Sequence, residues 1–153
     1  MVVNTNSPYS ADAAPRTSIR TLIVDDSPAI LKLVTLILGQ AGRVDLIGSA
    51  TNGAQALKYV CALSPELVLM DIHMPKLNGI EATRYIKQRE HPPIVILITS
   101  GDDPLTRSKA EQAGADGFII KGENMRNSLM AILHDIFRPS AGRARSLQLA
   151  AQT

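Results

Sequence analysis

Three acids, a hydroxyl pair and a lysine each stand directly after a short apolar run. Asp25 and Asp26 follow Thr21-Leu22-Ile23-Val24, and Asp71 follows Leu67-Val68-Leu69-Met70. Thr99 and Ser100 follow Ile94-Val95-Ile96-Leu97-Ile98, and Lys121 follows Phe118-Ile119-Ile120. Carboxylate oxygens suit a hard divalent cation such as Mg²⁺, which takes oxygen ligands in near-octahedral geometry and keeps some of its water. A hydroxyl and an ammonium beside that cation complete the equipment for one phosphoryl group, whose oxygens carry charge to be neutralised. A carboxylate at the centre can act as nucleophile toward phosphorus. Clustered acids repel one another, so one of their pKa values is expected to rise when no cation is bound.

Taken singly, each residue has an ordinary reading. An acid ahead of a helix favours its positive end, Thr99 or Ser100 can cap the next helix, and lysines such as Lys121 are usually solvated. The joint pattern is what points to a site, because four separate runs each end on a complementary residue.

Continuous apolar runs of this length, separated by helical stretches, read as buried parallel strands. Strands are expected near 20–25, 44–49, 66–70, 94–98 and 117–120. Helices are expected between and after them. Ser27-Pro28 opens the first, with Ile30, Val34, Ile37 and Ala41 on one face, and Gly42 closes it. Asn52-Gly53 opens the second, with Ala56, Leu57, Val60 and Cys61 turned inward. Ile80, Thr83, Ile86 and Lys87 mark the third, and Asp103-Pro104 starts the fourth. Met125, Leu129, Ile132, Leu133 and Ile136 form the apolar face of the fifth. Five strand–helix units with right-handed crossovers make an α/β, doubly wound parallel sheet with helices on both faces. All carboxyl ends of such a sheet lie on one edge, where ligands bind.

The chain of 153 residues carries a formal net charge of +2, with no Trp and 45% apolar residues. Residues 21–137 hold 11 Lys/Arg against 13 Asp/Glu, and the positive excess lies at Arg16, Arg20, Arg138, Arg143 and Arg145. That distribution offers no basic stripe for nucleic acid. No apolar stretch approaches the roughly 18 residues of a membrane span, and the N-terminus lacks the apolar segment of a secretory signal. The single Cys61 is expected as a small buried hydrophobe in a reducing compartment. The expected organisation is a disordered lead over 1–18, a folded unit over 19–137 and a basic flexible tail over 138–153.

These residues carry a family resemblance. Leu22-Ile23-Val24-Asp25-Asp26-Ser27, Val68-Leu69-Met70-Asp71-Ile72-His73-Met74-Pro75, Asn78-Gly79-Ile80-Glu81-Ala82-Thr83, Ile98-Thr99-Ser100 and Gly114-Ala115-Asp116-Gly117-Phe118-Ile119-Ile120-Lys121 resemble the motifs of response-regulator receiver domains of bacterial two-component signalling. The chain is similar to the stand-alone, chemotaxis-type members. The resemblance implies a flavodoxin-like five-stranded sheet in the order 2-1-3-4-5. It implies Asp71 as phosphoacceptor, with Mg²⁺ held by Asp26, Asp71 and the backbone carbonyl of His73, and by Asp25 through water. It makes Thr99 the switch hydroxyl, Lys121 the phosphoryl-binding lysine and Phe118 the switch aromatic. The output face would be about 103–137. The implied partners are a histidine kinase or a histidine phosphotransfer protein and an output protein, with no direct nucleic-acid or membrane contact. The implied state is a cytoplasmic monomer or weak dimer whose only chemistry is self-phosphorylation from a donor and autodephosphorylation.

The family usually has Pro after the lysine, in a cis peptide; here Gly122 stands there. A cis bond before a non-proline residue costs about 3–4 kcal/mol, so Lys121–Gly122 is expected to be trans, with Gly122 in a conformation closed to other residues. The competing reading is an Asp-nucleophile phosphatase-like enzyme on a similar sheet. Such enzymes usually place a second acid two residues after the nucleophile, where this chain has His73. A nucleotide or flavin binder lacks support, since neither GxGxxG nor GxxxxGK[ST] occurs.

Overall fold

The computed structural model describes residues 17–138. The expectations for 1–16 and 139–153 lie outside the described residues. Five strands form one sheet: β1 (Ile19–Val24), β2 (Val44–Ala50), β3 (Leu67–Asp71), β4 (Ile94–Thr99) and β5 (Gly117–Ile120). All pair in parallel, in the order β2-β1-β3-β4-β5. Five helices connect and follow them: α1 (Pro28–Ala41), α2 (Gly53–Leu63), α3 (Gly79–Lys87), α4 (Pro104–Gln112) and α5 (Met125–Ile136).

Side chains alternate across a strand with a period of two, and here both sets are apolar. Leu22, Val24, Val68, Met70, Val95, Leu97 and Phe118 pack under Ala56, Val60, Ile80, Ile86 and Ala110 of α2, α3 and α4. Ile19, Ile23, Leu67, Leu69, Ile96, Ile98 and Ile119 pack under Val34, Ile37 and Leu38 of α1 and Leu129, Ile132 and Leu133 of α5. Strands without polar alternation therefore reflect a sheet covered on both faces.

Four helices open on a side-chain cap beside the carboxyl edge. Ser27 accepts from the Ile30 N–H at 3.4 Å, Asn52 from Gln55 at 2.9 Å, Asn78 from Glu81 at 2.9 Å and Asp103 from Thr106 at 3.0 Å. Such caps satisfy N–H groups that the helix itself leaves open. Gly42 ends α1 at φ +61°. At the far edge, the Arg20 guanidinium donates to the carbonyls of Leu63 and Ser64 at the end of α2.

Two sequence expectations need revision. Cys61 is exposed rather than buried. The buried face of α2 is Gly53, Ala56 and Val60. Cys61 lies about 100° round the helix from Val60, where Arg89 Nη1 donates to its sulfur at 3.1 Å. Second, Asp71 and Thr99 are the last residues of their strands rather than the first loop residues, because the ladder continues through Asp71 opposite Ile98 and Thr99 opposite Ile120.

Candidate functional site

The carboxyl ends of β1, β3, β4 and β5 bring Asp25, Asp26, Asp71, Thr99 and Lys121 to one edge of the sheet. Asp25, Asp26 and Asp71 each present a carboxylate oxygen within 4.8 Å of the other two, the only such cluster of three among the described residues. Asp25 and Asp71 are each 4% exposed, whereas Asp26 is exposed. Lys121 Nζ lies 2.9 Å from Asp25 Oδ2 and 3.3 Å from Asp71 Oδ1. One ammonium thus bridges two buried carboxylates.

The backbone holds these groups in place. Asp25 Oδ1 accepts from the Ser27 N–H at 2.8 Å, which turns the chain into α1. His73 stands two residues after Asp71, at the start of the β3–α3 loop, with its side chain exposed. The Lys121 N–H donates to the Thr99 carbonyl at 2.7 Å and so ties β5 to the end of β4. Thr99 is buried and Ser100 exposed, which separates the members of that hydroxyl pair. Phe118 is buried, its ring lying beneath the Arg107 guanidinium at 5.0 Å.

Burial raises the Asp71 pKa, and the nearby Asp25 charge raises it further; the Lys121 ammonium and the His73 N–H offset this only in part. Burial pulls the Lys121 pKa down, but its hydrogen bond to Asp25 and the charges of Asp71 and Asp25 outweigh burial, and the net direction is upward. A dominant desolvation and like-charge effect on Asp71 is the pattern of an anionic cluster short of positive charge. The donor set fits a hard divalent cation: all carboxylate oxygen, concentrated and under-compensated.

Two contacts at the site have no signature in local residue spacing. The β3–α3 loop rests on the start of α2: the Gly53 N–H donates to Leu77 O at 3.0 Å, and a Cβ on Gly53 would stand 2.3 Å from that oxygen. A Cβ on Gly79 would stand 2.1 Å from Asp71 O. Both glycines provide clearance for the loop that follows Asp71. The Asn52-Gly53 pair signals a helix start in the sequence, not this contact. The Lys121–Gly122 peptide is trans, as are all others among the described residues, and Gly122 sits at φ +141°, a region open to glycine.

Comparisons with known proteins agree with this geometry. The chain is 36% identical over 115 residues to the response regulator GacA of Pseudomonas viridiflava, covering 74% of this chain and 53% of that protein. It thus spans about half the length of that relative. The signal receiver domain of NarL from Mycobacterium tuberculosis superposes with a TM-score of 0.73 at 31% identity, covering 78% of this chain and 96% of that one. A chain of the CheX–CheY–BeF₃–Mg²⁺ complex from Borrelia burgdorferi superposes with a TM-score of 0.71 at 27% identity, covering 82% and 99%. Residues 21–134 match the model of the response regulator receiver domain, and the chain belongs to that family.

Proposed function

We propose that this chain is a phosphorylation-activated signalling switch or phosphorelay intermediate in which Asp71 is the phosphoacceptor. The observation that carries the reading is the buried Asp71 carboxylate, flanked by Asp25 and Asp26 and touched by Lys121. The donor is a phosphohistidine on a histidine kinase or a histidine phosphotransfer protein. An Asp71 oxygen forms the new O–P bond as the N–P bond breaks. The electron pair returns to the imidazole nitrogen, which takes a proton from water.

Asp26, Asp71 and the His73 carbonyl would hold Mg²⁺, with Asp25 joining through water. Bound there, the cation supplies positive charge to the phosphoryl oxygens. Lys121 supplies further positive charge from the chain itself, and the Thr99 hydroxyl donates to the phosphoryl group after transfer. The similar chain from Borrelia burgdorferi comes from a complex that contains BeF₃ and Mg²⁺, which supports a divalent cation as the partner of this chain. Charge added at Asp71 biases the α4–β5–α5 face toward an output protein. No helix among the described residues is long and apolar enough to cross a membrane, and the reading places the chain in the cytoplasm beside its donor. The folded unit is taken as 19–137. No observation favours the phosphatase alternative.

Incubation with acetyl phosphate and Mg²⁺ should add one phosphate to the intact mass, lost on alkaline or hydroxylamine treatment as an acyl phosphate. Asp71→Asn should take none. Equal incorporation into the variant overturns the assignment. A parallel Mg²⁺ titration by NMR should move amides at 25–27, 71–74 and 121.

A further inference from the structure

Among the described residues β2 pairs with β1 alone, so its outer edge has no strand beside it. An edge strand presents a row of unpaired N–H and C=O groups and serves as a template for another strand. Charge commonly blunts such an edge, and along β2 the one charge is Asp45, at the second position. Between α1 and this edge lies a groove of about 340 Å³, lined by Leu31, Lys32 and Thr35 of α1 and by Leu46, Gly48 and Ser49 of β2. Leu46 stands 36% exposed beside it.

The chain leaves the described fold next to this edge. The guanidinium carbon of Arg43, the residue before β2, lies 3.9 Å from the centroid of the Phe137 ring at the end of α5. α5 shares its face of the sheet with α1. The β1–α1–β2 crossover runs over that face toward β2. A path from β5 through α5 to a strand beyond β2 has the same right-handed sense. Fifteen residues, 139–153, follow Arg138. Within them Ser146-Leu147-Gln148-Leu149 alternates polar and apolar, the pattern of a strand buried on one face. At about 3.3 Å per residue, residues 139–145 carry the chain past the start of β2 and bring this segment level with the groove. Arg143 and Arg145 then fall near Asp45, while the uncharged 146–149 passes Lys32.

We propose that residues 146–149 of this chain form a sixth parallel strand on the outer edge of β2, with Leu147 and Leu149 seated in the groove beside α1. The N–H and C=O groups of the segment pair with those that β2 leaves open, and its leucines cover Leu31 and Leu46. The edge is thereby closed from within, and a second copy of the chain cannot pair there. Ordering the segment consumes much of the contact energy. The docking is therefore worth a small factor and moves the Tm by only a few degrees.

NMR and amide hydrogen exchange on the full chain read the contact and the edge. Methyl NOEs should join Leu147 or Leu149 to Leu31 or Leu46. Leu147→Ser combined with Leu149→Ser lies outside both apolar layers of the sheet and should leave the fold intact. It should speed exchange of the β2 amides at 46–49 by about three- to fivefold and leave those of β3 unchanged. Leu147→Gln combined with Gln148→Leu keeps the composition and breaks the alternation, and should speed the same amides. An unchanged β2 rate in either double variant overturns the proposal, and so do helical Cα shifts over 146–149. Protection of β2 that rises with protein concentration and survives both variants assigns the edge to a second copy and overturns it as well. None of these measurements uses Mg²⁺ or a phosphodonor, so the proposal stands or falls apart from the phosphoacceptor reading.

Discussion

Asp71 sits with little water, beside a second carboxylate, and with half-shares in one ammonium. Its pKa is raised, first by burial and then by Asp25, so its ionisation works against folding. The sign follows from linkage. Below the ordinary carboxylate range Asp71 is protonated in both folded and unfolded chains and costs nothing. As pH climbs through and above its raised folded value, the penalty develops in full. Asp71→Asn should therefore raise the Tm in EDTA at pH 7. That gain should fade as pH is lowered into the carboxylate range and shrink when Mg²⁺ is added, and thermal melts across pH with and without the cation check it. Lys121 is the internal competitor for the same oxygens. Lys121→Met should tighten Mg²⁺ binding by about fivefold, on the order of 1 kcal/mol, while weakening the response to beryllofluoride. An NMR titration of both ligands reads the two effects separately.

The β3–α3 loop shows how two elements hold a third at the site. Leu77 O is bonded to the Gly53 N–H at 3.0 Å, and Gly79 N–H to Ile72 O at 2.9 Å. The loop is pinned at both ends, with its first residues at Asp71. Gly53→Ala puts a Cβ against backbone that cannot swing aside. The expected cost is about 1–3 kcal/mol, the range for overpacking, with amide shifts concentrated at 72–78. Gly39 in α1 is the contrast, because a Cβ there meets nothing within 4 Å. Gly39→Ala should stabilise by about 0.5–1 kcal/mol through helix propensity. Opposite signs in urea melts would confirm that clearance, not helix propensity, governs position 53.

At the scale of the molecule, one sheet separates two apolar layers, α1 with α5 on one side and α2, α3 and α4 on the other. Both layers close within the described residues. A chain cut to 17–138 should therefore keep its Tm to within a few degrees and keep its Mg²⁺-induced amide shifts. A large drop on calorimetry would show that the remainder packs on this unit. The site draws on four strands of one sheet, so local damage in either layer is felt at the carboxyl edge.

The linear order of residues determined the strand runs, the helix starts and the chemical set, because each depends on near neighbours: apolar continuity, caps, and the residue that ends a run. Those signals named Asp25, Asp26, Asp71, Thr99 and Lys121. Helix periodicity alone placed Cys61 inward, and the packing of α2 turned it out beside Arg89. Only the tertiary structure decided that Lys121 bridges Asp25 and Asp71, that Gly53 makes room for Leu77, and that Arg107 joins Asp102 to Phe118. Those partners come from different elements or lie five residues apart, at distances along the chain that carry no periodic pattern. Their meeting is fixed by sheet order and helix packing, which are properties of the whole fold.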